Sequence, residues 1–184
     1  METPAAGSAT IVERFDYAGA EPALGAHNQC GRLLRHDDPG GSEGFASYAL
    51  GGEVTQQRRH FLCSLERPDW PQDPADRDRL LEDTEGFTSR YRFGPLGQQL
   101  ECTDAVGNRR VFSHDPVGQL KRIILFKAAG GPPAPLLSHV RYNALGQLIE
   151  ETAGNGMLSS ARYDPADNRL LALCCRHPDG TLLQ

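Results

Sequence analysis

One seven-residue phrase recurs along this chain, and a chain written that way cannot close a core around any single copy. Tyr142-Asn143-Ala144-Leu145-Gly146-Gln147-Leu148 reads as a ring, Asn or Asp, two residues, Gly, Gln, Leu. His114-Asp115-Pro116-Val117-Gly118-Gln119-Leu120 repeats it with His in the ring slot, and Phe93-Gly94-Pro95-Leu96-Gly97-Gln98 repeats it again. His27-Asn28-Gln29-Cys30-Gly31-Arg32-Leu33 fits, and Tyr48 with Gly52-Glu53-Val54 fits loosely. Tyr163-Asp164-Pro165 opens a further copy whose turn ends one residue late, at Asn168-Arg169-Leu170. The slot positions 31, 52, 97, 118, 146 and 168 lie 21, 45, 21, 28 and 22 residues apart, so the basic period is 21–22. The 45 is two periods with one copy obscured. The 28 is one period plus an insertion, read as Ala128 to Pro135.

A second signal sits halfway. Gly41, Gly107 and Gly156 each follow a slot glycine by ten residues. Two turns per period leave two strands of about five to seven residues, an ordinary strand length. The segments between turns alternate accordingly. Phe87, Tyr91 and Phe93 share one face, with Thr88, Arg90 and Arg92 on the other. Leu136, Val140 and Tyr142 alternate with His139 and Arg141, and Met157, Ala161 and Tyr163 with Ser160 and Arg162. Leu120 to Phe126 and Leu170 to Cys175 are more uniformly apolar, which predicts strands covered on both faces.

The phrase has a mechanism. The ring ends a strand and packs inward. Asn or Asp beside it bonds the backbone two residues on, as an Asx-turn. The glycine adopts the left-handed backbone that the turn requires. Leu or Val then starts the return strand. The turn positions are accordingly Asn28, Gly31, Gly52, Gly97, Gly107, Asp115, Gly118, Asn143, Gly146, Gly156 and Asp164, with Tyr142 and Tyr163 as rings. A lone hairpin of this kind cannot bury its apolar face, so copies must stack.

The fold class is therefore all-β: tandem strand-turn-strand repeats with a short helical insertion. Residues 1–10 read as a tail, 11–57 and 87–184 as repeat regions, and 58–86 as a surface insertion. Within the insertion, Asp73 as N-cap and Pro74 at the first helical position start a short helix. Trp70, the sole tryptophan, staples the insertion to the sheet.

Charge and motif content exclude much else. Nineteen Lys and Arg against 24 Asp and Glu give a net charge of −5 and no basic stripe, which argues against a nucleic-acid surface. The longest apolar run, Leu170 to Cys175, is far short of the ~18 residues a membrane span needs. Met1-Glu2-Thr3-Pro4 carries no basic or apolar signal region, so no signal peptide is expected and the chain would be made in the cytoplasm. Five cysteines, an odd number, read as reduced thiols. Asp37, Asp38 and Asp115 could form an acid dyad, but their Pro and Gly neighbours make them turn residues. Cys174, Cys175 and His177 lack the paired spacing of a zinc site. Neither a G-x-S-x-G elbow nor a phosphate-binding glycine loop occurs. No catalytic, cofactor-binding or metal-binding residue is expected.

The ordered series resembles the YD (Rhs) repeat proteins. The closer likeness is to the C component (TccC-like) of bacterial Tc insecticidal toxin complexes. It is carried by Ala26 to Leu33 with Arg35-His36-Asp37, Thr103 to Asn108, Asp115 to Leu120, Tyr142 to Gln147, Gly154-Asn155-Gly156, and Tyr163-Asp164-Pro165 with Arg169-Leu170-Leu171. It covers roughly residues 11 to 184. The resemblance implies a spiral β-sheet wall that closes, together with a B component, into a hollow shell around a toxin payload. It implies release as part of a secreted complex. This stretch looks like an internal part of that wall, and only the repeat role carries over to its residues. The expected partners are further YD repeats in cis or a B-component-like shell protein in trans, with a payload enclosed by the complete shell. The alternative is a stand-alone β module that binds a surface or a carbohydrate.

Overall fold

The computed structural model describes residues 9–183, and the expected tail at 1–10 and the signal reading at Met1–Pro4 fall almost wholly outside them. The chain is all-β and divides into two compact units, one running up to Arg90 and one from Tyr91 onward. The first unit holds β1 (Arg14–Tyr17), β2 (Leu33–Asp38), β3 (Gly41–Tyr48), β4 (Val54–Phe61) and the first half of β5 (Phe87–Phe93). Each strand pairs antiparallel with the next in chain order, with Phe15 opposite His36, His36 opposite Glu43 and Glu43 opposite Arg59. Two short helices interrupt the series, α1 (Pro22–Gly25) and α2 (Pro74–Asp78).

The second unit holds the rest of β5, then β6 (Gln99–Thr103), β7 (Arg109–His114), β8 (Leu120–Phe126), β9 (Ala134–Tyr142), β10 (Leu148–Ala153), β11 (Leu158–Tyr163) and β12 (Leu170–Arg176). From β6 to β12 each strand again pairs antiparallel with its successor. Where a short turn joins neighbouring strands, turn geometry and the alternation of side chains together set the register.

Little of this is core. Among the described residues the buried apolar side chains are Ala18, Tyr48, Trp70, Cys102 and Val140. Most strand positions are half-buried on both faces, as in β10, where all six are intermediate. Such a strand gains from its cross-strand neighbours rather than from a second layer. Phe15 stacks on His36 at 4.3 Å, Phe61 meets Phe87 at 5.4 Å, and the Arg109 guanidinium lies 4.4 Å from the Phe126 ring.

Three details differ from the sequence reading. β4 runs on to Phe61, so pairing extends four residues into the stretch assigned to the insertion. Arg58 and Arg59 there face Gly44 and Glu43 across the ladder. Helix α1 carries no apolar periodicity and no side-chain cap, so Pro22 at its first position is the one signal in its four residues. β12 is not covered on both faces. Leu170, Leu171 and Leu173 are each more than half exposed, because β12 comes last in its sheet and meets only a single bridge, Arg176 to Leu182, on its far side.

Candidate functional site: the repeat turns and the docked insertion

Three turns in the second unit are built on one pattern. Asp115 Oδ1 accepts from the N–H groups of Val117 and Gln119 at 3.0 and 2.9 Å. Asn143 Oδ1 accepts from Leu145 and Gln147 at 3.0 and 2.9 Å, and Asp104 Oδ1 from Val106 and Asn108 at 3.0 and 2.9 Å. In each, the backbone N–H of the glycine three residues on, Gly118, Gly146 or Gly107, donates to the Asx carbonyl at 3.0 Å. Gly118 and Gly146 have φ of +87° and +78°, where a β-branched residue is strained. Gly31, Gly52, Gly97, Gly107 and Gly156 are likewise at positive φ.

The copies that lack an Asx residue solve the same problem otherwise. At Gly94-Pro95-Leu96-Gly97 there is no side chain in the slot, and Gln98 Oε1 reaches back to accept from Leu96 N–H at 3.1 Å. At Ala153 to Gly156 the acceptor is Asn155, bonded to Met157 N–H at 3.1 Å. The copy at Asp164 is one residue longer. Its carboxylate accepts from Ala166 N–H at 2.7 Å, and Asn168, at φ +61°, occupies the left-handed position. The turn at Tyr48 to Gly52 keeps the backbone bonds alone, with Gly52 N–H donating to Ala49 at 3.1 Å. Asn28 departs from the scheme. At φ +54° it donates Nδ2–H to the Tyr48 carbonyl at 2.8 Å instead of accepting within its own turn.

Rings and amides connect one copy to another. Tyr48 donates its hydroxyl to the Leu33 carbonyl at 2.5 Å, and Tyr142 to the Leu120 carbonyl at 2.9 Å, each tying the end of one strand to the start of the strand before it. Burial pushes both phenols up from their ordinary pKa, with Asp115 adding to the effect at Tyr142. Tyr163 ends β11 opposite Leu170. Gln147 Nε2 donates to the Asn168 carbonyl at 3.0 Å, a link from turn to turn across 21 residues. The Asn108 hydrogen bonds, the side chain first, hold Asp104 below the usual carboxylate range.

The insertion is attached by a buried ionic cluster. The Asp37 side chain is fully buried, and Arg77 beside it is 2% exposed. Arg77 Nη1 bonds Asp37 Oδ2 at 2.5 Å and Nη2 bonds Asp16 Oδ2 at 2.7 Å. Arg35 spans from Asp37 at 2.7 Å to Asp78 at 2.5 Å. Burial pulls the Arg77 guanidinium down, but the hydrogen bonds it donates to Asp16 and Asp37, with their charge, outweigh it and leave its pKa raised. Asp73 accepts from Ala75 N–H at 2.7 Å, capping α2, and Pro74 follows at the first turn. Trp70, 1% exposed, docks by its backbone. Its N–H donates to Ile11 at 2.8 Å and its carbonyl accepts from Arg14 Nε at 2.8 Å.

None of this cluster was legible as a site. Asp37 was read as a turn residue, yet it lies inside β2 and forty residues from its Arg77 partner. The turns at Lys127 to Gly130 and His177 to Gly180 were also missed, although Pro178-Asp179-Gly180 is a plain turn signal. Among the described residues all five cysteines are free thiols, and no group of three or more His, Cys, Asp or Glu is placed to hold a metal. No helix among them is long and apolar enough to cross a membrane.

No family model matches the chain. Toxin subunit YenC1 of Yersinia entomophaga is 31% identical over 172 residues, covering 94% of this chain and 18% of that protein. Toxin subunit YenC2 of the same organism is 29% identical over 177 residues, with the same coverage of each. The crystal structure of TcdB2-TccC3 aligns over 100% of this chain and 9% of that one, with a TM-score of 0.83 and 30% identity. The Photorhabdus luminescens Tc holotoxin pore aligns equally well, over 8% of its chain. The chain thus spans about a fifth of the length of the curated relatives it matches. The turn series in chain order, and a likeness that runs its full length, make the chain similar to a Rhs-repeat segment of the C component of Tc toxin complexes.

Proposed function

We propose that the chain is a stretch of wall in a toxin-encapsulating shell and supplies no catalytic group of its own. The observation that carries this reading is the pairing of β6 to β12 strictly in chain order, with the Asp104, Asp115 and Asn143 turns built alike and apolar side chains half-buried on both faces. An architecture of that kind extends by adding hairpins and encloses space only when many are joined. β12 leaves three leucines exposed and a free edge beyond the Arg176–Leu182 bridge, which suits a further strand in cis or a B-component-like shell protein in trans. The payload would be the concern of the complete shell.

Light scattering on a size-exclusion column, with a far-ultraviolet circular dichroism melt in reducing buffer, tests this. A β spectrum with self-association through open edges, relieved by co-expression with a B-component-like protein, is the expected result. A monodisperse monomer that melts cooperatively and ignores that partner would favour the stand-alone binding module. Incubation followed by mass spectrometry checks the absence of catalysis, since self-cleavage would overturn it.

A further inference from the structure

We propose that the segment between β4 and β5 is a strap that holds strand β1 in the first sheet, with Arg77 as its bolt. β1 has four residues, pairs only with β2, and shifts register between Asp16 and Tyr17. A strand that short, on a single neighbour, holds poorly by itself. The strap leaves the sheet at the far side of β4 and reaches back over to β1. At its base it is zipped by Cys63 N–H to Leu80 and Glu82 N–H to Phe61, both at 2.9 Å. At its tip it grips the strand and the residues before it from two places. Asp69 Oδ1 accepts from Ile11 N–H at 2.9 Å, and Trp70 bonds Ile11 and Arg14. Arg77 then joins Asp16 of β1 to Asp37 of β2 through one guanidinium.

The geometry separates two functions that a simple surface insertion would not have. The bonds to Asp37 and from Arg35 to Asp78 dock the strap on β2. The bond to Asp16 is the only salt bridge the described residues give that carboxylate, and it acts on β1 alone. With the strap seated, β1 covers the outer edge of β2. With it open, that edge presents unpaired backbone groups to which another extended chain can add. The insertion therefore decides whether β1 stays paired on β2.

Hydrogen exchange on the full chain tests the strap. Asp16→Ala removes Arg77's link to β1 and leaves the Trp70–Arg14 bond and the docking on Asp37 intact. Exchange at residues 14–17 should rise roughly tenfold, while β3, β4 and α2 keep their protection. Unchanged exchange in β1 would overturn the proposal, and so would a uniform rise across the whole first unit. Arg77→Met combined with Asp37→Asn removes the bolt without stranding a buried charge. It should release β1 and α2 together. If α2 is freed and β1 stays protected, the strap is not what holds the strand.

Discussion

In the second unit a single oxygen on Asp104, Asp115 or Asn143 organises a turn through residues two and four positions away. In the first unit Asp37 does its work with Arg77, forty residues along the chain. One region is stabilised by many small local devices of nearly equal strength. The other is held by one buried cluster on which several elements depend at once. Damage should therefore stay local in the second unit and spread in the first.

The largest expected break in that comparison is Arg77→Met, which takes one of its two arginine partners from the buried Asp37 carboxylate and leaves Arg35. Loss of one partner from a buried ion pair costs about 3–5 kcal/mol. Chemical denaturation followed by hydrogen exchange should show loss of protection across β1 and β2 with β6 to β12 unaffected. Next come Gly118→Val and Gly146→Val, each expected to cost about 1–3 kcal/mol for a β-branched residue at positive φ. At Gly118 nothing lies within 4 Å of an added Cβ, so any loss there is backbone strain alone. Unchanged melting of both variants would remove the turn reading. Asp115→Ala gives up two hydrogen bonds, one exposed and one part-buried, and Asn143→Ala gives up the same two and a third to Gln147 Oε1; each variant should cost about 1 kcal/mol, read from the same melts.

The smallest effect distinguishes the units by pH. Arg59 donates to both Asp38 oxygens at 2.7 and 2.6 Å and, with Gly40 N–H, holds that carboxyl below its ordinary range against the pull of burial. Its folded pKa lies under its unfolded one, so the stabilisation is complete above about pH 4 and is lost as pH falls through the folded value. Asp38→Asn should flatten the acid limb of the first unit's stability curve. An unaltered limb would show that the Arg59 pair is not what titrates.

What could be read from the sequence follows the same division. The turns at Asp115 and Asn143 were legible because their donors, acceptor and glycine lie within five consecutive residues. Asp73 and Pro74 announced α2 for the same reason. Trp70 was recognisable as a staple, but its target was not, since Ile11 and Arg14 are more than fifty residues away. Arg77 falls inside the stretch read as a surface insertion. Only the fold, by carrying α2 back across β4 and β3, makes it a buried ion. The exposed leucines of β12 misled in the opposite sense, because an apolar strand cannot tell whether its neighbour belongs to the same chain.

Gln98 has a wider consequence. It stands after the glycine, not before it, yet its side-chain oxygen captures Leu96 N–H much as an Asx residue would. Where a side chain braces the turn, it supplies an oxygen at one point in space, and letters at either end of the turn can provide it. Successive copies can then drift independently, each exchanging one spelling for another without ever passing through a broken turn. A lineage under pressure to alter its surface could rewrite most of these repeats and keep the same wall.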